Sequence, residues 1–216
     1  MKGFKIRLPK AEDKIKDTYN DYEIDNLLTK PNIKKCTFSD YRNWAIICFF
    51  LGVGCRVNTL VNVKNEDLDF YNDLIALRKL KNKKQQIVPM SPELKRVLQE
   101  YTTIRKGEPD DYLFCTIHGE QLTTSGVQTS IKRYNKKRGL TKTSVHSFRH
   151  TFGKNWVMAG GDISKLQTAL GHSSIETTKK YANIFGIELK DDYEQYSTLD
   201  RKMNEKSKGD IIKMKK

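Results

Sequence analysis

The chain has 216 residues, 37% of them apolar and 10% aromatic, and a net charge of +14 from 40 Lys and Arg against 26 Asp and Glu. That is enough apolar material for a folded core and excludes a disordered chain. The longest apolar run, Ala45 to Leu51, is far short of the roughly 20 residues that span a bilayer, and the start has no apolar segment of the secretory kind.

Residues 1–18 are charged and aperiodic and read as an arm or linker. A folded domain is expected over 19–200 and a basic, unstructured tail over 201–216. Helical periodicity starts at Tyr19, where Asp21 caps a short helix with Ile24, Leu27 and Leu28 on one face, ending before Pro31. Ser39 or Asp40 then caps a strongly apolar helix in which Trp44, Ile47, Cys48 and Leu51 follow the i, i+3, i+4, i+7 rule, with Gly52 and Gly54 ending it. A short helix over Asn58 to Val63 follows. Asp67 to Tyr71, Leu74 to Leu80 and Gln86 to Met90 read as three strands of a small antiparallel sheet, the last two joined by Lys81-Asn82-Lys83-Lys84.

Helices return at Ser91-Pro92-Glu93, a cap with proline at the first helical position, followed by a stripe of Leu94, Val97, Leu98 and Tyr101. Tyr112 to Cys115 is a short extended piece. Thr123 or Thr124 opens a helix that places Val127, Ile131 and Tyr134 inside and its basic residues outside. Helices are further predicted over Ser147 to Met158, from Asp162 to Leu170 with Gly171 as the stop, over Ser174 to Tyr181, and over Glu188 to Leu199. The fold class is α+β, mainly α-helical, with one small three-stranded antiparallel sheet.

Cys36, Cys48, Cys55 and Cys115 show no CxxC spacing and no nearby histidine pair, which argues against a disulfide framework or structural zinc and for a reducing cytoplasm. The basic excess gathers in runs. Arg78 to Lys84 holds five bases and no acid, and Lys132 to Lys142 holds six and no acid. Such patches on a folded domain suit a polyanion, nucleic acid before an anionic membrane, because no basic run lies on a clean amphipathic helix. A merely solvated Lys-rich surface is the competing reading. The candidate phosphate contacts are Lys79, Lys83, Lys84, Lys132, Arg133, Lys136, Lys137, Arg138 and Lys142.

Three of the four histidines, His146, His150 and His172, cluster late in the chain. His146 and Arg149, three apart, share one helical face. His172 follows Gly171, and Tyr181 comes nine residues later. Upstream, Arg56 follows Gly52-Val53-Gly54-Cys55, and Lys81 lies at the tip of the basic hairpin. Each alone has a plain structural reading, as a surface pair, a turn residue or a half-buried aromatic.

In this order the boxes resemble the catalytic domain of tyrosine recombinases, the phage-integrase family. Gly54-Cys55-Arg56 resembles the family's Gly-x-Arg box, and Lys81 precedes Ile87-Val88-Pro89 as the family's hairpin lysine precedes its Val-Pro strand. His146-Ser147-Phe148-Arg149-His150-Thr151-Phe152 and Leu170-Gly171-His172-Ser173-Ser174 are similar to the remaining boxes. The resemblance covers about residues 20 to 190 and points to the integrases of conjugative transposons and phages.

It implies a DNA recombinase that cleaves and rejoins double-stranded DNA through a 3′-phosphotyrosine, without metal, ATP or other cofactor. The implied catalytic set is Arg56, Lys81, His146, Arg149, His172 and Tyr181. Two guanidiniums clamp the phosphate oxygens, His172 donates a hydrogen bond, His146 donates another or takes the proton of Tyr181, and Lys81 protonates the departing 5′-oxygen. It also implies a tetramer on DNA, joined through the helix after Tyr181. One position departs from the pattern: Thr59 stands where the family has an acid three residues after its first arginine. A hydroxyl accepts a hydrogen bond there but pairs no charge. Two other readings stay open at this point, a type IB topoisomerase that relaxes DNA and a catalytically silent DNA-binding regulator of the same fold.

Overall fold

A computed structural model describes residues 17–78 and 86–185, with the side chains of 182–185 excepted. The chain enters through Tyr19, which stacks on Phe148 and donates its backbone N–H to Thr151 Oγ1. Helix α1 (Asp21–Leu28) is capped by Asn20, one residue before the predicted Asp21, because Asn20 and Glu23 form a reciprocal capping box that satisfies two orphan N–H groups.

Helix α2 (Phe38–Val53) is capped by Thr37, two residues before the expected Ser39. The sequence suggests one buried stripe; the structure instead buries α2 nearly all round, with α1, α4, α5 and α6 against it. Of the predicted stripe, Trp44 and Ile47 are fully inside, whereas Cys48 and Leu51 are only half-buried. A helix apolar on every side belongs at the centre of a domain, and α2 takes that place. It ends where Gly54 adopts φ +65°, a left-handed cap over which Phe152 packs so closely that no side chain fits.

After α3 (Val57–Leu60) and a 3₁₀ turn (Asn65–Asp67) comes the sheet, β1 (Leu68–Asp69), β2 (Leu74–Leu77) and β3 (Gln86–Pro89), antiparallel in that order with Ile75 opposite both Leu68 and Val88. The strands are shorter than predicted. Helix α4 (Pro92–Arg105) and helix α5 (Thr124–Lys137) carry the Ser91 and Thr123 caps as expected.

The last three helices among the described residues, α6 (Val145–Met158), α7 (Ile163–Leu170) and α8 (Ile175–Phe185), pack on one another. Two apolar cores result. The larger gathers α1 to α5, the sheet and Phe148; the smaller gathers Val157, Leu166, Leu170 and Tyr181, with Phe152 and Trp156 against it. Helix α6 belongs to both, so whatever it carries lies at their junction.

Candidate active site

Helix α6 presents a polar stripe. His146, Arg149, His150 and Gly153 stand at i, i+3, i+4 and i+7, one face of a helix, while Phe148 points into the main core.

Arg149 is 6% exposed. Its Nη1 donates to Gly54 O at 2.8 Å and its Nη2 to Leu170 O at 2.9 Å. Those carbonyls close the C-terminal ends of α2 and α7, where unpaired C=O groups concentrate partial negative charge. A buried guanidinium is thus oriented by two helix ends. Burial, then the neighbouring Arg56 cation, lowers its pKa to about 10; the other groups acting on its charge are Tyr181 and Cys55, not a carboxylate. Arg149 stays charged at neutral pH, and no carboxylate acts on it among the described residues.

Arg56 stands at the N-cap position of α3, just beyond Gly54, with no capping hydrogen bond from its side chain, and is exposed. Tyr181, on α8, is 5% exposed. Burial raises its phenol above the ordinary value, and the charges of Arg149 and Arg56 pull it back. The two arginines and the tyrosine, far apart in sequence, therefore share one electrostatic site. His172 follows the Gly171 cap of α7, and its Nδ1 lies 2.8 Å from Thr178 Oγ1 on α8, one turn before Tyr181.

The phenol of Tyr181 meets His150, whose Nδ1 lies 2.9 Å from Oη. His146 instead is exposed at the start of α6, lining a cleft with Gln128, Thr129 and Lys132 of α5. The residues are brought this close by Gly153: a Cβ there would stand 2.7 Å from the Tyr181 ring. Sequence reasoning counted His150 in the histidine cluster without giving it a role, and it passed over Thr178, Gly153 and Gln86. The signals were present: a histidine one turn after His146, a glycine inside a helix, and a threonine one turn before the tyrosine. Gln86 of β3 donates to Thr168 O and Ala169 O at the end of α7, tying the hairpin strand to the site. Lys79, Lys81, Lys83, Lys84 and the helix predicted over Glu188 to Leu199 lie outside the described residues.

Of the basic residues expected on α5 and after it, Lys132, Arg133 and Lys136 are exposed. Lys137, also exposed, pairs with Asp40 at 3.0 Å. Arg138 and Lys142 are half-buried. Arg138 donates to Asn26 O, Thr29 O and Tyr134 Oη, and Lys142 to Thr18 O and Glu23, so both brace the N-terminal segment.

The model of the phage integrase family matches residues 20–186. The chain belongs to that family. Among its curated relatives, tyrosine recombinase XerD of Oceanobacillus iheyensis is 31% identical over 198 residues, which are 88% of this chain and 65% of the relative. Tyrosine recombinase XerC of Chlamydia caviae is 32% identical over 172 residues, 77% of this chain and 54% of the relative. The chain thus spans between about half and two thirds of these integrase-family relatives. The fold is that of the crystal structure of XerA recombinase, with a TM-score of 0.71 and 30% identity over 88% of this chain and 66% of that one. Tn1549 transposon integrase in complex with a circular intermediate DNA is similar in fold, with a TM-score of 0.63 and 24% identity over 80% and 62%. Among the described residues, no helix of this family member is long and apolar enough to cross a membrane.

Proposed function

We propose that the chain is the catalytic part of a site-specific tyrosine recombinase, with Tyr181 as the nucleophile toward a DNA phosphodiester. What carries this reading is a buried phenol that meets His150 and lies against Gly153 on the same helix that holds Arg149, with the charges of Arg149 and Arg56 acting on it. A free phenol is a weak nucleophile at neutral pH, and two fixed cations both favour its phenolate and counter the charge that builds on phosphate oxygens. Arg56 and Arg149 hold the non-bridging oxygens; His172, steadied by Thr178, and His146 add hydrogen bonds. As Oη bonds to phosphorus, the bond to the 5′-oxygen breaks and Lys81 protonates that oxygen. The products are a 3′-phosphotyrosine and a 5′-hydroxyl, and the retained ester energy allows rejoining without ATP.

The DNA partner is supported by the net charge and by relatives solved on DNA, such as XerH bound to difH, 26% identical with a TM-score of 0.65. Lys132, beside His146 at the α5–α6 cleft, and the exposed Arg133 and Lys136 of the same helix are the backbone contacts we assign. Assembly as a tetramer through the segment after Tyr181 belongs to the same reading.

The test is covalent trapping. The full chain is incubated with fragments of the genome that encodes it and quenched with SDS, and protein-linked DNA is recovered. The expected outcome is an adduct absent from Tyr181→Phe. An adduct that survives in that variant, or none from wild type on any fragment although DNA binds, overturns the assignment.

A further inference from the structure

We infer that His150 is the base that takes the phenolic proton from Tyr181, an inference that rests on the reading of Tyr181 as the nucleophile. A proton leaving a phenol that is 5% exposed needs an acceptor already in contact with it. The charged groups acting on this phenol, Arg149 and Arg56, have donors only. A neutral imidazole has one nitrogen with a free lone pair, and Nδ1 of His150 stands 2.9 Å from Oη. The ring carrying its proton on Nε2 is the form that accepts there.

Two structural facts make the contact a built one. His150 lies one turn after His146 on the polar stripe of α6, and Gly153, one turn further, leaves space for the tyrosine ring to lie against the helix. His146, the other histidine of the stripe, is exposed and faces the α5 cleft.

The step balances. The Oη–H bond breaks and its proton passes to Nδ1. The Oη–P bond forms as the P–O5′ bond breaks, and the 5′-oxygen takes a proton from the general acid, Lys81 in the reading above. On rejoining, the 5′-oxygen attacks phosphorus as its O–H bond breaks and its proton returns to the neutral Lys81 amine, the P–Oη bond breaks, and the imidazolium of His150 returns the proton to Oη.

The experiment uses the full chain and the genomic fragment recovered by trapping. Adduct formation is timed for wild type, His150→Ala, His150→Asn and Tyr181→Phe, with binding of the same fragment measured in parallel. Asn keeps an acceptor near the position of Nδ1 but takes no proton. Both His150 variants are expected to slow adduct formation by about 10²- to 10⁴-fold with binding retained. Added imidazole is expected to restore part of the rate to His150→Ala and none to Tyr181→Phe. Asn at the wild-type rate would reduce His150 to a holder of the tyrosine and overturn the inference. Alanine at or above the wild-type rate would overturn it too, making the contact a restraint. Absence of any wild-type adduct would instead remove the nucleophile, a failure of the underlying reading.

Discussion

A single atom too many at residue 153 would separate the parts of this site. Gly153 sits inside α6, where glycine costs up to about 1 kcal/mol relative to alanine in an exposed helix. Here the balance reverses, because an alanine Cβ would lie 2.7 Å from the Tyr181 ring. Gly153→Ala is expected to push Tyr181 off His150, cut adduct formation at least tenfold with DNA binding intact, and destabilise the fold by about 1–3 kcal/mol in urea unfolding. Full activity in that variant would show that the ring yields without cost. The same scale explains Arg149. In the sequence it is a helical neighbour of His146; that it is 6% exposed and clamped by two backbone carbonyls depends on residues 95 and 21 positions away.

At the scale of elements, the C-terminal end of α7 is where sheet and helices meet the site. Each of its last four carbonyls has a partner. Gln167 O accepts from the backbone N–H groups of Gly171 and His172, Thr168 O from Gly171 N–H and Gln86, Ala169 O from Gln86, and Leu170 O from Arg149. Gln86→Leu is expected to cost about 1 kcal/mol and to speed hydrogen exchange across α7, since it takes from Ala169 O its partner and from Thr168 O one of two, and unties β3. Exchange that stays unchanged would mean that β3 and α7 do not depend on each other.

Helix existence and order were legible here because capping chemistry and periodicity are local. Ser91, Thr123 and Asp162 cap their helices as read. The start of α2 was misplaced because Thr37, Ser39 and Asp40 are all competent caps, and only packing chooses among them. Its single stripe was misread because burial on the remaining sides comes from helices distant in sequence.

Over the whole molecule, charge divides into two kinds. Lys132, Arg133 and Lys136 are exposed, whereas Arg138 and Lys142 hold α1 and the entering chain in place. Alanine at Lys132 or Arg133 is therefore expected to weaken DNA binding on all sequences and to lower the slope of log affinity against log salt by about 0.9 each. Alanine at Arg138 or Lys142 is expected to lower the unfolding midpoint and leave that slope alone. A slope change at Arg138 or Lys142 equal to that at Lys132 would place them on the DNA after all.

Residue type, spacing and local periodicity were enough to read the family, the order of the helices among the described residues and the small sheet. Which histidine meets the phenol, which cations are exposed, and which carbonyls orient a buried arginine came only with tertiary structure. The physical reason is that burial and contact are set by elements that are neighbours in space and strangers in sequence. His150 and Tyr181, 2.9 Å apart, lie 31 residues apart along the chain.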